Sequence, residues 1–498
     1  MGNSPPLRVI EIPIYIGFVR RINNAFHAAI WATVPPYWVG TFETGTLAAN
    51  SPTSQGRLRL SFEYLTSSAG VRASATPDRI QSEYVGSCLK PTVLIATTFR
   101  WNPTVRLAMA LAKAGFAVEM VCPPGHPISK THAARKLHTF RGLAPVTSLY
   151  AAITAAKPEI LVSGDDLATW HLHQLYDREK NKGAAGKSIC ELIERSFGPP
   201  ESFPVVYARA TFMQMAEQEG LRVPKTKLIS NADELKNWIA TEGFPTALKA
   251  NGTFGGAGVK IVGSLEDAQA AFKILKAPPL LARAAKRALL DRDRTLVWPS
   301  LLRHRAVVNA QAFVAGREAT SAVACHKGRI LASLHFEVLC KTDAAGPASV
   351  LRRIDHPEMA FAAEKMVRRL NLSGIHGFDF MLEAQTKHAY LIEINPRATQ
   401  IGHLTLGPGR DLPAALFASV AGGEVHPAPK LTENSTVALF PREWLRDPQS
   451  KFLLTAYHDV PWDEPEFIRA VVGQDGQKGI ERLRKNSQQD LTAQISLM

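Results

Sequence analysis

A chain of 498 residues that is 46% hydrophobic and 20% charged can bury more than one core, and that length suggests roughly two to four domains. No uninterrupted apolar run reaches the ~18 residues a membrane span needs. Five scattered cysteines (Cys88, Cys122, Cys190, Cys325 and Cys340), without a C-x-x-C pair, exclude a zinc finger and point to a reducing, cytoplasmic setting free of structural disulfides.

The formal net charge of +14 raises nucleic acid as a partner, but its excess is local: eight Lys/Arg stand against two Asp within 276–305. A solvated helical face, or a lid over a polyphosphate, explains that run more simply than a nucleic-acid site, which would also want interleaved aromatics. At the N-terminus, apolar stretches at 10–18 and 25–39 are broken by Glu11, Pro13, Pro35 and Pro36, with no clear cleavage signal. Residues 1–90 therefore read as a leader or poorly ordered extension without assigned function.

From Pro91 the texture becomes strand, helix, strand: 92–96, 103–114 and 117–121. A further strand over 159–163 ends in Gly164-Asp165-Asp166 and leads into a helix near 167–176. Such alternation predicts a parallel sheet with helices on both faces, and no clean G-x-G-x-x-G argues for a dinucleotide. A helix over 209–218 stops at Gly220, and Val223-Pro224 opens an extended segment. Ser230 with Asp233 and Ser264 with Asp267 fit capping boxes, so two short helices flank a strand at 246–250.

Residues 244–262 read strand, Gly-rich loop, strand, with glycines at 252, 255, 256 and 258 and Lys249 just before the loop. Glycines let backbone amides turn toward an anion, and the lysine can set its ammonium against phosphate oxygens. Alone, this pattern is equally a plain turn. Residues 308–324 read as a hairpin turning at Ala315-Gly316. In 377–397 two alternating runs flank a polar turn near Thr386, which sets Asp379 opposite Glu393. Period-two alternation then puts Asp379, Glu393 and Asn395 on one face and Phe378, Phe380, Leu382, Tyr390, Ile392 and Ile394 on the other. Opposed carboxylates repel unless a cation lies between them, and oxygen ligands of this kind suit Mg²⁺, with phosphate and water filling its other positions.

The order of Gly-rich loop, linker strand and acidic hairpin resembles the ATP-grasp superfamily from about 209 to 411, closest to its carbamoyl phosphate synthetase-like and D-alanine:D-alanine ligase-like members. The resemblance implies an α/β and α+β architecture. A parallel-sheet preATP-grasp-like domain (91–205) would precede a two-subdomain ATP-grasp fold (206–425, with a central lid at about 225–315) and a small C-terminal accessory region (426–498). It implies that Arg209 and Lys249 hold the ATP phosphates, that Gly255, Gly256 and Gly258 form the phosphate loop, and that Gln311, Val314 and Glu318 contact adenine and ribose. Gln311 departs from the usual Glu. Asp379, Glu393 and Asn395 match the ligands of Mg²⁺, or Mn²⁺ in its place, and Arg397 matches an arginine that meets the transferring phosphate.

The activity implied is ATP-dependent ligation: a small carboxylate, such as an amino acid, is activated as an acyl phosphate and captured by an amine, a thiol or another nucleophile. A carboxylase-type reaction and a non-catalytic ATP-binding regulator remain open beside it, and a homodimer is compatible with all three. Arg352, Arg353, His376, 402–404 and 407–411 are candidates for the acceptor pocket, and the tail at 437–465 reads as a cap.

Overall fold

In the computed structural model the described residues are 90–251, 258–277, 306–344 and 346–496, with side chains to 484; all of them fall in the unit Cys88–Met498. The leader 1–89, Gly255 and Gly256, and most of the basic stretch, 278–305, lie outside the described residues.

The first sheet is parallel, in the order β3-β2-β1-β4: β1 Thr92–Ala96, β2 Ala117–Cys122, β3 Lys136–Thr139 and β4 Ile160–Ser163. Every β1 residue is buried, as an uninterrupted apolar strand covered on both faces must be. Val93 and Ile95 enter one core with the helix Asn102–Ala114, whereas Leu94 and Ala96 enter another with the helices Pro145–Ala156 and Asp166–Lys180. The sequence alternation missed β3, a mostly exposed edge strand without an apolar pattern.

The second sheet is antiparallel, in the order β5-β8-β6-β7: β5 Thr226–Ile229, β6 Thr246–Ala250, β7 Val259–Val262 and β8 Val308–Ala312. Helices Ala232–Glu242 and Leu265–Lys276 cover one face, burying Leu235, Trp238, Ala268 and Phe272 against Leu248 and Ala250. The pleat therefore sends Ala247 and Lys249 to the opposite face. Ser264 caps its helix as expected, its hydroxyl accepting from the Asp267 amide at 3.1 Å. The other cap lies one residue later than Ser230: Asn231 Oδ1 accepts from the Asp233 and Glu234 amides, and the Glu234 carboxylate accepts from the Ser230 amide. Asn competes well with Ser for this position, and Glu234 supplies the later acid.

The third sheet has seven strands in the order β13-β12-β9-β10-β11-β14-β15: β9 Gly316–His326, β10 Arg329–Lys341, β11 Ala348–Arg353, β12 Gly374–Glu383, β13 Ala389–Asn395, β14 Thr436–Ala438 and β15 Tyr457–His458. Along β9, Val323 and Cys325 face the helices Arg209–Gln218 and Pro357–Arg369, while Ala322 and Ala324 face the core that also holds Val93 and Ile95. The hairpin expected at 308–324 does not form. Strand β8 pairs within the second sheet and β9 within the third, so 313–315 crosses between sheets. The tail joins the large sheet, with β14 antiparallel to β11 and parallel to β15.

Candidate functional site

The site is built on the β12–β13 ladder, where Asp379 pairs with Glu393 and Gly377 with Asn395. The register carries one extra residue: Phe380 pairs with Leu391, leaving Ile392 as a bulge. This shifts the phase expected near the turn. Ala389 and Leu391 enter the core in place of Tyr390 and Ile392, and Ile392 lines the open side with Glu393. A Cβ on Gly377 would meet the Thr399 Cγ2 methyl at 2.3 Å, so a larger residue there would force the Thr399 side chain to shift.

Asp379 Oδ1 accepts from the Thr320 hydroxyl on β9 and Oδ2 from the Asn395 amide, both at 2.9 Å. Glu393 accepts from Arg209 Nη1. Burial, and then the facing Glu393, push the Asp379 carboxyl above its usual range. Burial acts the same way on Glu393, but Arg209 and Lys249 together hold that carboxyl well below its usual range. No group of three His, Cys, Asp or Glu among the described residues is arranged to hold a metal. A cation here would take two carboxylates and the Asn395 amide, a sparse hard-oxygen set that fits Mg²⁺ carrying phosphate and water. The mutual repulsion of the facing carboxylates is what such a cation would relieve.

Four cationic side chains border the carboxylates. Lys249 is 8% exposed, and burial, then the Arg209 charge, pull its ammonium down to about 8. Arg397 Nε donates to Asp166 Oδ2 at 2.8 Å and Nη2 to Asn395 Oδ1 at 3.1 Å. Burial works against its charge, but Asp166 outweighs it and the Arg397 guanidinium is held above its ordinary value. Arg442 donates to the Ala348 carbonyl at 3.3 Å; burial and then Arg397 lower it to about 10. Both guanidinium carbons lie over the Trp101 ring, that of Arg397 at 5.3 Å and that of Arg442 at 5.9 Å.

These groups share one cleft of about 660 Å³, within the usual range of small-ligand sites. Arg209, Lys249, Gln311, Val314, Glu318, Asp379, Glu393, Asn395 and Arg397 all line it. Gln311 is 2% exposed and donates to the Thr226 hydroxyl at 2.9 Å. Glu318 pairs with Lys341 at 2.7 Å. Gly258 is buried at the end of the β6–β7 connection, its carbonyl accepting from the Ala250 amide at 2.9 Å.

The acceptor-pocket candidates fare differently. His376 is 1% exposed and set 2.7 Å from the Ser373 carbonyl, Arg352 pairs with Glu337, and neither they nor Arg353 line the cleft. None of 402–404 or 407–411 lines the cleft; His403 lines a smaller neighbouring cavity, and Asp411 caps the helix Leu412–Ala421. The residues that sequence reasoning missed are Trp101, Asp165, Asp166 and Arg442, all in the cleft wall. The first three follow β1 and β4, the adjacent parallel strands from which the order β3-β2-β1-β4 runs both ways. Ligands gather outside strand C-termini at such a switch point, a signal available once the parallel sheet is inferred. Asp165 ties the two strand ends together, accepting from the Thr97 hydroxyl at 2.8 Å, the Thr98 amide at 2.6 Å and the Ala168 amide at 2.8 Å.

The family model described as "Carbamoyl-phosphate synthase L chain, ATP binding domain" matches residues 208–405, the span from the Arg209 helix through the acidic hairpin. That span thus matches an ATP-binding domain of the ATP-grasp type. Among curated proteins it is similar to the carbamoyl phosphate synthase arginine-specific large chain of Geobacillus stearothermophilus, 25% identical over 267 residues, which is 51% of this chain and 23% of that one. The chain thus spans under a quarter of the length of the curated relative it matches. Solved structures similar to it include N5-carboxyaminoimidazole synthetase from Staphylococcus aureus complexed with ADP, with a TM-score of 0.47 at 16% identity over 69% of this chain and 80% of that one. Another is the biotin carboxylase domain dimer of Hydrogenobacter thermophilus 2-oxoglutarate carboxylase, with a TM-score of 0.45 at 14% identity over 68% and 71%. No helix among the described residues is long and apolar enough to cross a membrane.

Proposed function

We propose that the protein is an ATP- and Mg²⁺-dependent ligase that activates a small carboxylate as an acyl phosphate and passes the acyl group to an amine or another nucleophile. The observation that carries this reading is Asp379 facing Glu393 in a cleft that also holds Lys249, Arg209 and Arg397. Bound at Asp379, Glu393 and Asn395, Mg²⁺ would neutralise charge on the transferring phosphate. Lys249, on β6, and Arg209, on the helix Arg209–Gln218, orient the phosphates of ATP. Gln311, Val314 and Glu318, around the crossover between the second and third sheets, form the wall for adenine and ribose.

Arg397, braced by Asp166, and Arg442 place the substrate carboxylate for in-line attack. A carboxylate oxygen bonds to the γ-phosphorus while the bond to the β–γ bridging oxygen breaks and ADP leaves. The amine then attacks the acyl carbon, inorganic phosphate departs, and the amine loses a proton. Preorganised cations matter because an anionic nucleophile approaches an anionic centre, and a dry cleft protects the acyl phosphate from water.

The reading is tested by measuring ADP release over a panel of amino acids and small carboxylates. Asp379→Asn and Glu393→Gln should each lower the stimulated rate by roughly a hundredfold or more, the usual loss on removing a preorganised electrostatic partner. Turnover unaffected in the double variant would remove Asp379 and Glu393 from the chemistry.

A further inference from the structure

Beside the main cleft lies a second cavity of about 100 Å³, a few waters' worth at about 30 Å³ each. Trp101, Gln400 and Arg442 line both spaces, so the side cavity opens from the end of the cleft where Arg397 and Arg442 lie over Trp101. Its remaining wall includes Arg100, Arg106 and His403. Asp459, 0% exposed, accepts from Arg106 Nη2 and sits 2.6 Å from His403 Nε2.

Three buried polar atoms of this wall have no hydrogen-bond partner among the described residues: Arg106 Nε, His403 Nδ1 and Gln400 Oε1. His403 is 6% exposed, so water does not reach it freely from outside. Among the described residues, Arg100 donates Nε to the Pro124 carbonyl at 3.0 Å and pairs with no acid, and Arg442 meets a carbonyl and a ring but no acid. Asn102 and Pro103, the first two residues of the helix Asn102–Ala114, complete the wall; that helix has no side-chain cap and no acid in its first turn. The positive end of its dipole is therefore uncompensated.

Resting on the ligase reading above, we infer that the side cavity holds a second anionic group of the substrate, so that the activated carboxylate belongs to a small dianion. The shared chemistry is a compact oxyanion, either a second carboxylate or a phosphate. Its guanidiniums and helix terminus match a planar or tetrahedral anion. Trp101 separates the two anionic ends.

The test is calorimetric binding to the full chain in the presence of Mg²⁺ and a non-hydrolysable ATP analogue. It compares succinate with propionate, aspartate with alanine, and phosphoserine with serine, and ADP release is measured for the same compounds with ATP. The dianion of at least one pair should bind at least tenfold more tightly than its partner, and the pair that does so tells carboxylate from phosphate. In Arg100→Met that ratio should fall toward one, and Arg100→Lys should restore most of it; Arg100 is exposed, so neither change threatens the core. Equal affinity within every pair, or a ratio unmoved by Arg100→Met, would overturn the inference. Selective dianion binding without any ADP release would leave the side cavity standing and remove the ligase reading instead.

Discussion

Lys249 concentrates the electrostatics of the cleft in one side chain. Burial and Arg209 bring its ammonium down to about 8 in the free protein, whereas a polyphosphate beside it would favour the charged form. Affinity for ATP should therefore be highest below about pH 8 and fall as pH rises through that value, by up to tenfold per unit until the pKa of the complex is reached. Arginine stays charged throughout, so Lys249→Arg should flatten the profile whatever its absolute affinity. Calorimetry between about pH 7.5 and 9.5 reads the slope, and equal slopes in the two proteins would contradict the assignment. The neighbouring carboxylates were legible in the sequence because their pairing needs only a turn and an alternation. Trp101 and Arg442 were not, since their contact joins the end of β1 to the C-terminal tail, and no local pattern links such distant residues.

Among the elements, the β12–β13 hairpin shows how a correct pairing can rest on an incomplete picture. A turn centred on Thr386 sets Asp379 against Glu393 with uniform alternation. In the structure the pairs nearest the turn, Leu382 with Ala389 and Met381 with Tyr390, are displaced from that register, and the Ile392 bulge restores it at Asp379. A bulge adds one residue without a composition of its own, so the sequence cannot announce it. The 313–315 crossover was hidden for a similar reason, since Ala315-Gly316 also suits a tight turn.

The tail has its own anchor, Asp459. Burial would raise this carboxyl, but Arg106 and His403 outweigh it and bring it down to about 2. A lowered folded pKa contributes stability that is complete above the ordinary carboxylate value of 3.8 and is lost as pH falls toward about 2. Asp459→Asn leaves Arg106, with its side chain 10% exposed, without its acid. That should cost about 3–5 kcal/mol at neutral pH, read as a lower urea midpoint. The difference from wild type should shrink across that acid window, and a midpoint unchanged at pH 7 would show that the tail is held otherwise.

At the scale of the whole described unit, the cleft exists because three sheets converge on it. The parallel sheet contributes Trp101 and Asp166 at its strand ends, the second sheet Lys249 and Gln311, and the third Asp379 and Glu393. Each sheet was partly legible from its hydrophobic period, but their convergence was accessible only through resemblance, because periodicity describes one element at a time. A ligand that spans all three should stabilise them together. Mg-ATP at about 100 times its dissociation constant should add about 2.7 kcal/mol, a rise of several degrees in melting temperature. Asp379→Asn should lose the part of that rise that depends on Mg²⁺, and an identical rise in the variant would place the cation elsewhere.

The central claim, that a carboxylate attacks the γ-phosphate, is tested most directly by isotope transfer. The stimulating carboxylate is labelled with ¹⁸O in both oxygens, turnover is run with unlabelled ATP and the nucleophile, and the released inorganic phosphate is analysed by mass spectrometry. Passage through an acyl phosphate places one labelled oxygen in each phosphate. Unlabelled phosphate, formed at the same rate as the ligated product, would contradict the account.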